Sequence, residues 1–450
     1  MAGGLRGFAA HPKRSVILLL VVMVDLTFLT VAAAYASTYA SASVSTSGST
    51  PSPDGFLRVY FLDVGQGDSA LVSFPSGAAM LIDGSERSMG PRIVEFLRSL
   101  GLSSLDVVVA THPHSDHIGG LIAVLERFNV GLVLDSGQVN PTKTYEDYLN
   151  VIDERNIPFK VGREGTHLDL DPDVQVNILS PPAKLFKDTG SDLDANSLVL
   201  KMVYRQASFL FTGDIEGEVE SHLTRFDVDV DVLKVAHHGG RNSCGSRFLK
   251  ASTPLIAVIS VGADNPYGHP NQGALDRLAS AGATVYRTDL NGMVSVSTDG
   301  HSLLVSAERA APVQAYTKWG RQAFRVTLNT SSKVSGYIFD QPAKQIRFNV
   351  SGETGTRGSL EVSLPTDLLG PPYTVYFDGE PVEAEIQQSY STASIKIAYV
   401  HSWHMVTIAG ASAIPEMPCT KMAVTSALAL AAALTVLYTV KRRGRLWRRR

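Results

Sequence analysis

The run THPHSDHIGG at positions 111–120 packs four metal-binding side chains, His112, His114, Asp116 and His117, into six positions. It directly follows the apolar stretch 107–110, which reads as a buried strand. Imidazoles and carboxylates at this density are poor core material, because each buried polar group must find a partner. Alternate residues at a strand end point the same way, so His112 and His114 can face one ion while Asp116 and His117 turn to a second. Glycines 119 and 120 let another segment of backbone approach. Any fold for this chain has to present a strand end at which cations fit.

Three later segments have the same form. FTGD at 211–214 ends an apolar run with the carboxylate of Asp214, KVAHHGG at 234–240 ends another with His237 and His238, and YGHP at 267–270 carries His269 in a Gly/Pro turn. Each sits at the carboxyl end of an expected strand, where α/β folds gather their sites.

Between these motifs, apolar runs alternate with turn signals. They predict strands over 57–64, 70–74, 79–82, 131–134, 174–179, 197–204, 208–212, 232–236, 255–261 and 284–287, with a last hairpin at 292–296 and 302–305. Helices are expected over 91–100, 121–128, 145–155 and 273–281. Strands mixed with helices in this way describe a layered α/β architecture with sheets at its centre. Beyond 312 the pattern becomes alternating strands with Gly, Pro and Asp turns, which reads as a β-sandwich-like domain over 312–413. The two Asn-x-Ser/Thr acceptors, Asn329 and Asn349, fall within it.

The ends have a different composition. Residues 1–36 carry Arg6, Lys13 and Arg14 before an apolar stretch and an Ala-Tyr-Ala step at 34–36, the pattern of a signal peptide or an uncleaved signal anchor. Residues 37–54, rich in Ser, Thr and Ala, read as a flexible linker. Residues 422–440 hold no charge and are long enough for a transmembrane helix, and the basic tail 441–450 is expected to stay in the cytoplasm. Residues of about 40 to 415 are then expected outside the cell. Between Arg14 and Lys441, excluding Asp25, thirty basic residues stand against forty-two acidic ones, a formal charge of −12. That balance excludes a general electrostatic pull on nucleic acid. Two cysteines exclude a disulfide framework.

The combined motifs resemble the metallo-β-lactamase superfamily. The wording LDVGQGDS at 62–69, the His112 cluster, TGD at 212–214, VAHHG at 235–239 and ISVG at 259–262 with YGHP at 267–270 is similar to the hydrolase domain of ComEC-type DNA-uptake proteins, over residues 57–306. The resemblance implies an αββα sandwich at 55–309 and two divalent metal ions, zinc or manganese. It implies that His112 and His114 bind one ion, Asp116 and His117 the other, that Asp214 bridges them, and that His237 completes the second site. Asp116 and His269 become the catalytic candidates, with His269 either ligating or contacting the leaving oxyanion. Asp63, Gln66 and Asp68 are implied to lie in a glycine-rich loop beside the metals, and Lys234, His238 and Ser243 around the ligands or substrate. Many superfamily members have a further His ligand before the bridging Asp, and here the nearest equivalent stretch, 194–198, offers Asn196.

The function implied is that of a surface-anchored, metal-dependent hydrolase cleaving phosphodiester bonds, with extracellular nucleic acid as substrate. Two other readings stand beside it: hydrolysis of a small ester, lactone or amide, since one dinuclear scaffold serves many substrates, and a surface adhesion protein with a degenerate hydrolase half. The β-rich domain is expected to contact other surface proteins. With two terminal apolar segments, the chain is not expected to form the multi-span channel of ComEC-type proteins. The step 414–418 and the basic tail resemble the carboxyl-terminal anchors of archaeal surface proteins.

Overall fold

The computed structural model describes residues 55–414 apart from 310 and 321. The expected signal segment or anchor, linker, spanning helix and basic tail lie outside the described residues. Among the described residues, no helix is long and apolar enough to cross a membrane.

Two sheets face each other across the first half. Strands Leu57–Phe61, Ala79–Ile82 and Ser104–Ala110 belong to a 13-stranded sheet, and Val199–Tyr204, Ala207–Phe211, Val232–Lys234 and Ile256–Ile259 to a 7-stranded one. Alternation along each strand decides which residues meet. Phe61, Ile82, Val107 and Val109 point inward against Leu200, Phe209, Phe211 and Val258. Val108 and Ala110 point the other way, onto the helices Gly90–Ser99, Leu121–Arg127 and Lys143–Glu154. Leu210, Leu233 and Ile259 pack likewise on Gly217–Leu223, Ser246–Ser252 and Gln272–Ser280. The result is helix, sheet, sheet, helix, the αββα arrangement expected for 55–309.

The helices follow from ordinary signals. Gly90–Ser99 has Pro91 in its first turn and buries Ile93, Val94 and Leu97 on one face. Lys143–Glu154 starts at Thr142, whose side chain accepts from the Tyr145 amide, and buries Tyr145, Tyr148 and Ile152.

One end of each sheet is parallel. Ala79–Ile82, Ser104–Ala110 and Asn129–Asp135 run together, as do Ala207–Phe211, Val232–Lys234, Ile256–Ile259 and Thr284–Arg287. Parallel strands deliver their carboxyl ends to a common edge, and this edge receives Asp83, His112, Asp214, His238 and Ser260.

The region 312–413 is β-rich, as expected. It is not a separate sandwich linked by a free strand end. Ser302–Ala307 pairs antiparallel with Val313–Trp319, in the register Ser302↔Thr317, so the large sheet runs on into this region. A 5-stranded sheet containing Gln345–Ser351, Leu369–Phe377 and Trp403–Ala413 covers it. Leu303 and Val305 join the core of the first half, while Leu304 between them joins the core of the β-rich half. One strand therefore serves two cores, which no local pattern at 309–312 signals.

Candidate metal centre

Ser104–Ala110 ends by delivering Thr111 and His112, and the chain turns at once into the short helix Ser115–Ile118. Two neighbouring backbones clamp this turn. Gly67 lies against it, where a Cβ would come 2.2 Å from the carbonyl oxygen of Asp116, and a Cβ on Gly120 would come 2.1 Å from that of Gly84. Only glycine permits either approach, so the loops 65–69 and 83–85 are locked to the histidine run.

The side chains gather in two groups. His112 Nε2 and His114 Nδ1 stand 3.0 Å apart, with Asp194 Oδ1 2.9 Å from the His114 nitrogen and 3.4 Å from that of His112. In the second group, His238 Nε2 is 3.4 Å from one oxygen of Asp116 and 3.4 Å from Asp214 Oδ2, which is 3.2 Å from His117 Nε2. Asp214 Oδ2 also lies 4.0 Å from His112 Nε2, so this carboxylate reaches both groups.

Around them, hydrogen bonds set the imidazole tautomers. His117 Nδ1 meets Asp83 Oδ2 at 2.8 Å, and His238 Nδ1 meets the Ser260 carbonyl at 2.9 Å and Asp68 Oδ1 at 3.2 Å. All three partners accept, so each Nδ1 donates, and each Nε2 is the atom turned toward the carboxylates, where it can take a cation in place of a proton. Those Nε2 atoms, with Asp194 Oδ1 and Asp214 Oδ1, are buried without a hydrogen-bond partner. Lone pairs aimed at carboxylates repel unless positive charge lies between them, and nitrogen and oxygen donors at this spacing fit divalent cations.

The electrostatics agree. Burial pushes His112 down to about 3. Burial acts downward on His117 and His238 as well, but Asp214, helped by Asp83 at one and Asp68 at the other, outweighs it and raises both well above the usual histidine range. For Asp214, burial works upward and is outweighed by those two imidazoles, which hold it well below the usual carboxylate range. The centre is a field of carboxylates that demands positive charge.

The profile of the metallo-beta-lactamase superfamily matches residues 62–263. This segment is a metallo-β-lactamase domain. Its chain is 34% identical over 257 residues to ComE operon protein 3 of Bacillus subtilis, covering 53% of this chain and 32% of that protein. It is 30% identical to competence protein ComA of Neisseria gonorrhoeae, over 53% of this chain and 32% of the relative. It is 28% identical to recombination protein 2 of Haemophilus influenzae, over 53% and 29%. The chain thus spans about a third of the length of the curated relatives it matches.

Within the metallo-β-lactamase domain, His112, His114, Asp116, His117 and Asp214 come together. His237 does not join them. Its Nδ1 instead lies 2.9 Å from Glu216 Oε1 with its side chain 30% exposed, and His238 takes the inner position. Both residues are in the left-handed region, with φ of 49° and 53°, and this double turn is what sends the second imidazole inward. Asn196 is not at the ligand position either. Its amide accepts from Phe186 N and donates to the carbonyls of Phe186 and Asp192, so it pins the loop, while Asp194 in the short helix Asp192–Ala195 faces the two histidines.

In the glycine-rich loop, Asp68 is buried in an ion pair with Lys234 beside His238. Gln66 accepts from Gly262 N, whereas Asp63 turns away to Arg309 at 2.9 Å. Ser243 is buried beside Gly240, outside both ligand groups. His269 stacks near the centre, its ring 6.1 Å from that of His238 and 5.3 Å from that of His237, with Nδ1 buried and unpartnered. Asp194 and Asp83 are the residues that sequence reasoning misses. Asp83 has a signal, since like Asp214 it stands just past the end of an apolar strand. A groove of about 870 Å³ opens beside Asp194 and His237, lined also by Glu216, Glu218, Arg241 and Asn242.

Proposed function

We propose that this chain is a surface-anchored metallohydrolase that cleaves phosphodiester bonds, with extracellular nucleic acid as its substrate. The observation that carries the reading is Asp214, one carboxylate within reach of two ligand groups whose unpartnered nitrogens face it. His112, His114 and Asp194 would hold one divalent ion, Asp116, His117 and His238 the other, and Asp214 both, with zinc or manganese suited to such donors. Two such ions lower the pKa of a water to about 7 and offset charge on both the attacking and the leaving oxygen. Asp116, whose side chain is 26% exposed where His117, His238 and Asp214 are sealed, would orient the water and take its proton. Asp83, Asp68 and Ser260 hold the imidazoles in register. His269 is suited to contact the leaving oxygen.

The choice of phosphodiester is supported by relatives named for competence and recombination, the latter a process of DNA. Anchoring rests on the uncharged residues 422–440, and surface proteins remain the proposed partners of the β-rich region. The detergent-solubilised full chain, incubated with single- and double-stranded DNA and with Mn²⁺, Zn²⁺ or Mg²⁺, is expected to cleave in at least one combination. Asp116→Ala should abolish cleavage with the circular dichroism spectrum unchanged. Absence of cleavage in every combination removes the nuclease reading, and turnover of a lactone or ester panel alone replaces it. For topology, protease added to intact cells should digest the hydrolase domain; its protection would overturn surface exposure.

A further inference from the structure

Tyr267 is 66% exposed at the mouth of the metal centre, yet it is firmly mounted. Asn265 braces its turn: the side-chain amide donates to the carbonyls of Gly262 and His269, and its oxygen accepts from the amides of Tyr267 and His269. Gly262 in turn sits hard against the loop beside the metal centre, where a Cβ would come 2.6 Å from Gln66 N. One face of the tyrosine ring stacks on His269, centroids 5.9 Å apart and planes 29° from parallel. The His269 ring is itself 6.1 Å from that of His238. Aromatic rings thus step outward from the ligand group, and the last one has an open face.

We propose that Tyr267 is a stacking platform for an unpaired nucleobase next to the scissile phosphate, an inference that rests on the phosphodiesterase reading above. The ring stands two tiers from His238, within reach of the nucleotide whose phosphate lies at Asp214. Its surroundings select the base over other ligands. Asp264, exposed three residues before it, disfavours a phosphate there, and of the neighbours Asn265, Pro266 and Gly268 only Pro266 is apolar, far short of the patch a protein partner needs. A single planar ring amid polar groups suits a planar ligand with polar edges, and every base has such a face. The bracing by Asn265 means that little order has to be gained on binding. Bases paired in a duplex cannot use the platform, so single strands are favoured.

The test compares full-length wild type, Tyr267→Ala and Tyr267→Trp on an oligothymidylate and on an abasic oligomer of the same length. Tyr267→Ala is expected to raise KM on oligothymidylate by about tenfold, with kcat changed by less than about twofold. Tyr267→Trp should retain the wild-type KM, and the abasic oligomer should be turned over equally by all three. An unchanged KM for Tyr267→Ala, or an equal loss on the abasic oligomer, overturns the proposal. If wild type cleaves neither oligomer, the phosphodiesterase reading has failed, and fluorescence anisotropy of labelled oligothymidylate then decides the platform. Binding weakened by about tenfold in Tyr267→Ala supports it; equal binding, or none, overturns it.

Discussion

In one ligand group His117 and His238 are sealed from solvent and Asp116 is 26% exposed, whereas in the other His112 is sealed and His114 and Asp194 have 36% and 13% of their side chains exposed. The two groups share one carboxylate and one loop, but their support differs. The buried group is backed by Asp83, Asp68 and the Ser260 carbonyl, all hydrogen-bonded or ion-paired to the rings. In the open group, His112 leans on the Thr111 hydroxyl at 3.2 Å, and Asp194 arrives on a four-residue helix in a surface loop. Partners behind a ligand fix its orientation and raise its basicity. On the proposed two-ion reading, the buried group would keep its ion and the open group would exchange one.

The largest expected effect erases the comparison. Asp214→Ala should lower hydrolysis by about a thousandfold or more, with metal analysis finding less than one tightly held ion per chain; two retained ions would show that Asp214 is not shared. Asp194→Ala should separate the groups, losing only the weaker ion under mild chelation and about a hundredfold in rate. Asp194→His should restore binding with a shift toward zinc, the softer donor set favouring it. Asp83→Ala removes the acceptor for His117 Nδ1 and the Thr111 hydroxyl. It should weaken the tighter ion by about ten- to a hundredfold in chelator competition, and an equal weakening of both ions would break the distinction between buried and open halves.

The smallest effect concerns the loop over the open group. Asp135 accepts from Gly137 N and the Tyr148 hydroxyl at the base of the segment from which Gln138 donates to the carbonyls of Leu193 and Asn196. Burial raises Asp135 from 3.8 to about 6. The folded state then holds this proton more tightly than the unfolded one, so stability is greatest below the unfolded value and falls as pH rises through about 6. Asp135→Asn, able to keep both contacts, should remove that fall, gaining on the order of 2 kcal/mol relative to wild type between pH 4 and 8. Denaturant melts across this range would check it, and parallel pH curves would count against a buried ionised Asp135.

How much of this can be read in advance depends on how local each signal is. The His112 run and Asp214 are legible because ligand residues closely follow apolar strands. The choice of His238 over His237 is not, because it is made by two consecutive left-handed residues, a conformation that neither side chain announces. Asp194 displaces Asn196 because a single turn of helix rotates the segment, and at such spacing two residues decide which side chain faces inward. Asp63 is equivalent to Asp68 by position in the loop, yet its partner Arg309 lies 246 residues away. The layered fold of the first half follows from strand and helix periodicity. The pairing of Ser302–Ala307 with Val313–Trp319 is not legible, since the change of pattern at 309–312 reads as a boundary between domains and the ladder crosses it.

That shared strand has a mechanical meaning. A tension applied at residue 414 enters Trp403–Ala413 in the 5-stranded sheet and passes, through a core that holds Val406 and Ile408 together with Val326 and Leu328, to Gln322–Thr330 of the large sheet. From there the ladder runs by Val313–Trp319 and Ser302–Ala307 to Leu57–Phe61, the strand that leads into the loop beside the candidate metal centre. Because Ser302–Ala307 belongs to both cores, the β-rich half is coupled through that strand to the bearing of the candidate metal centre.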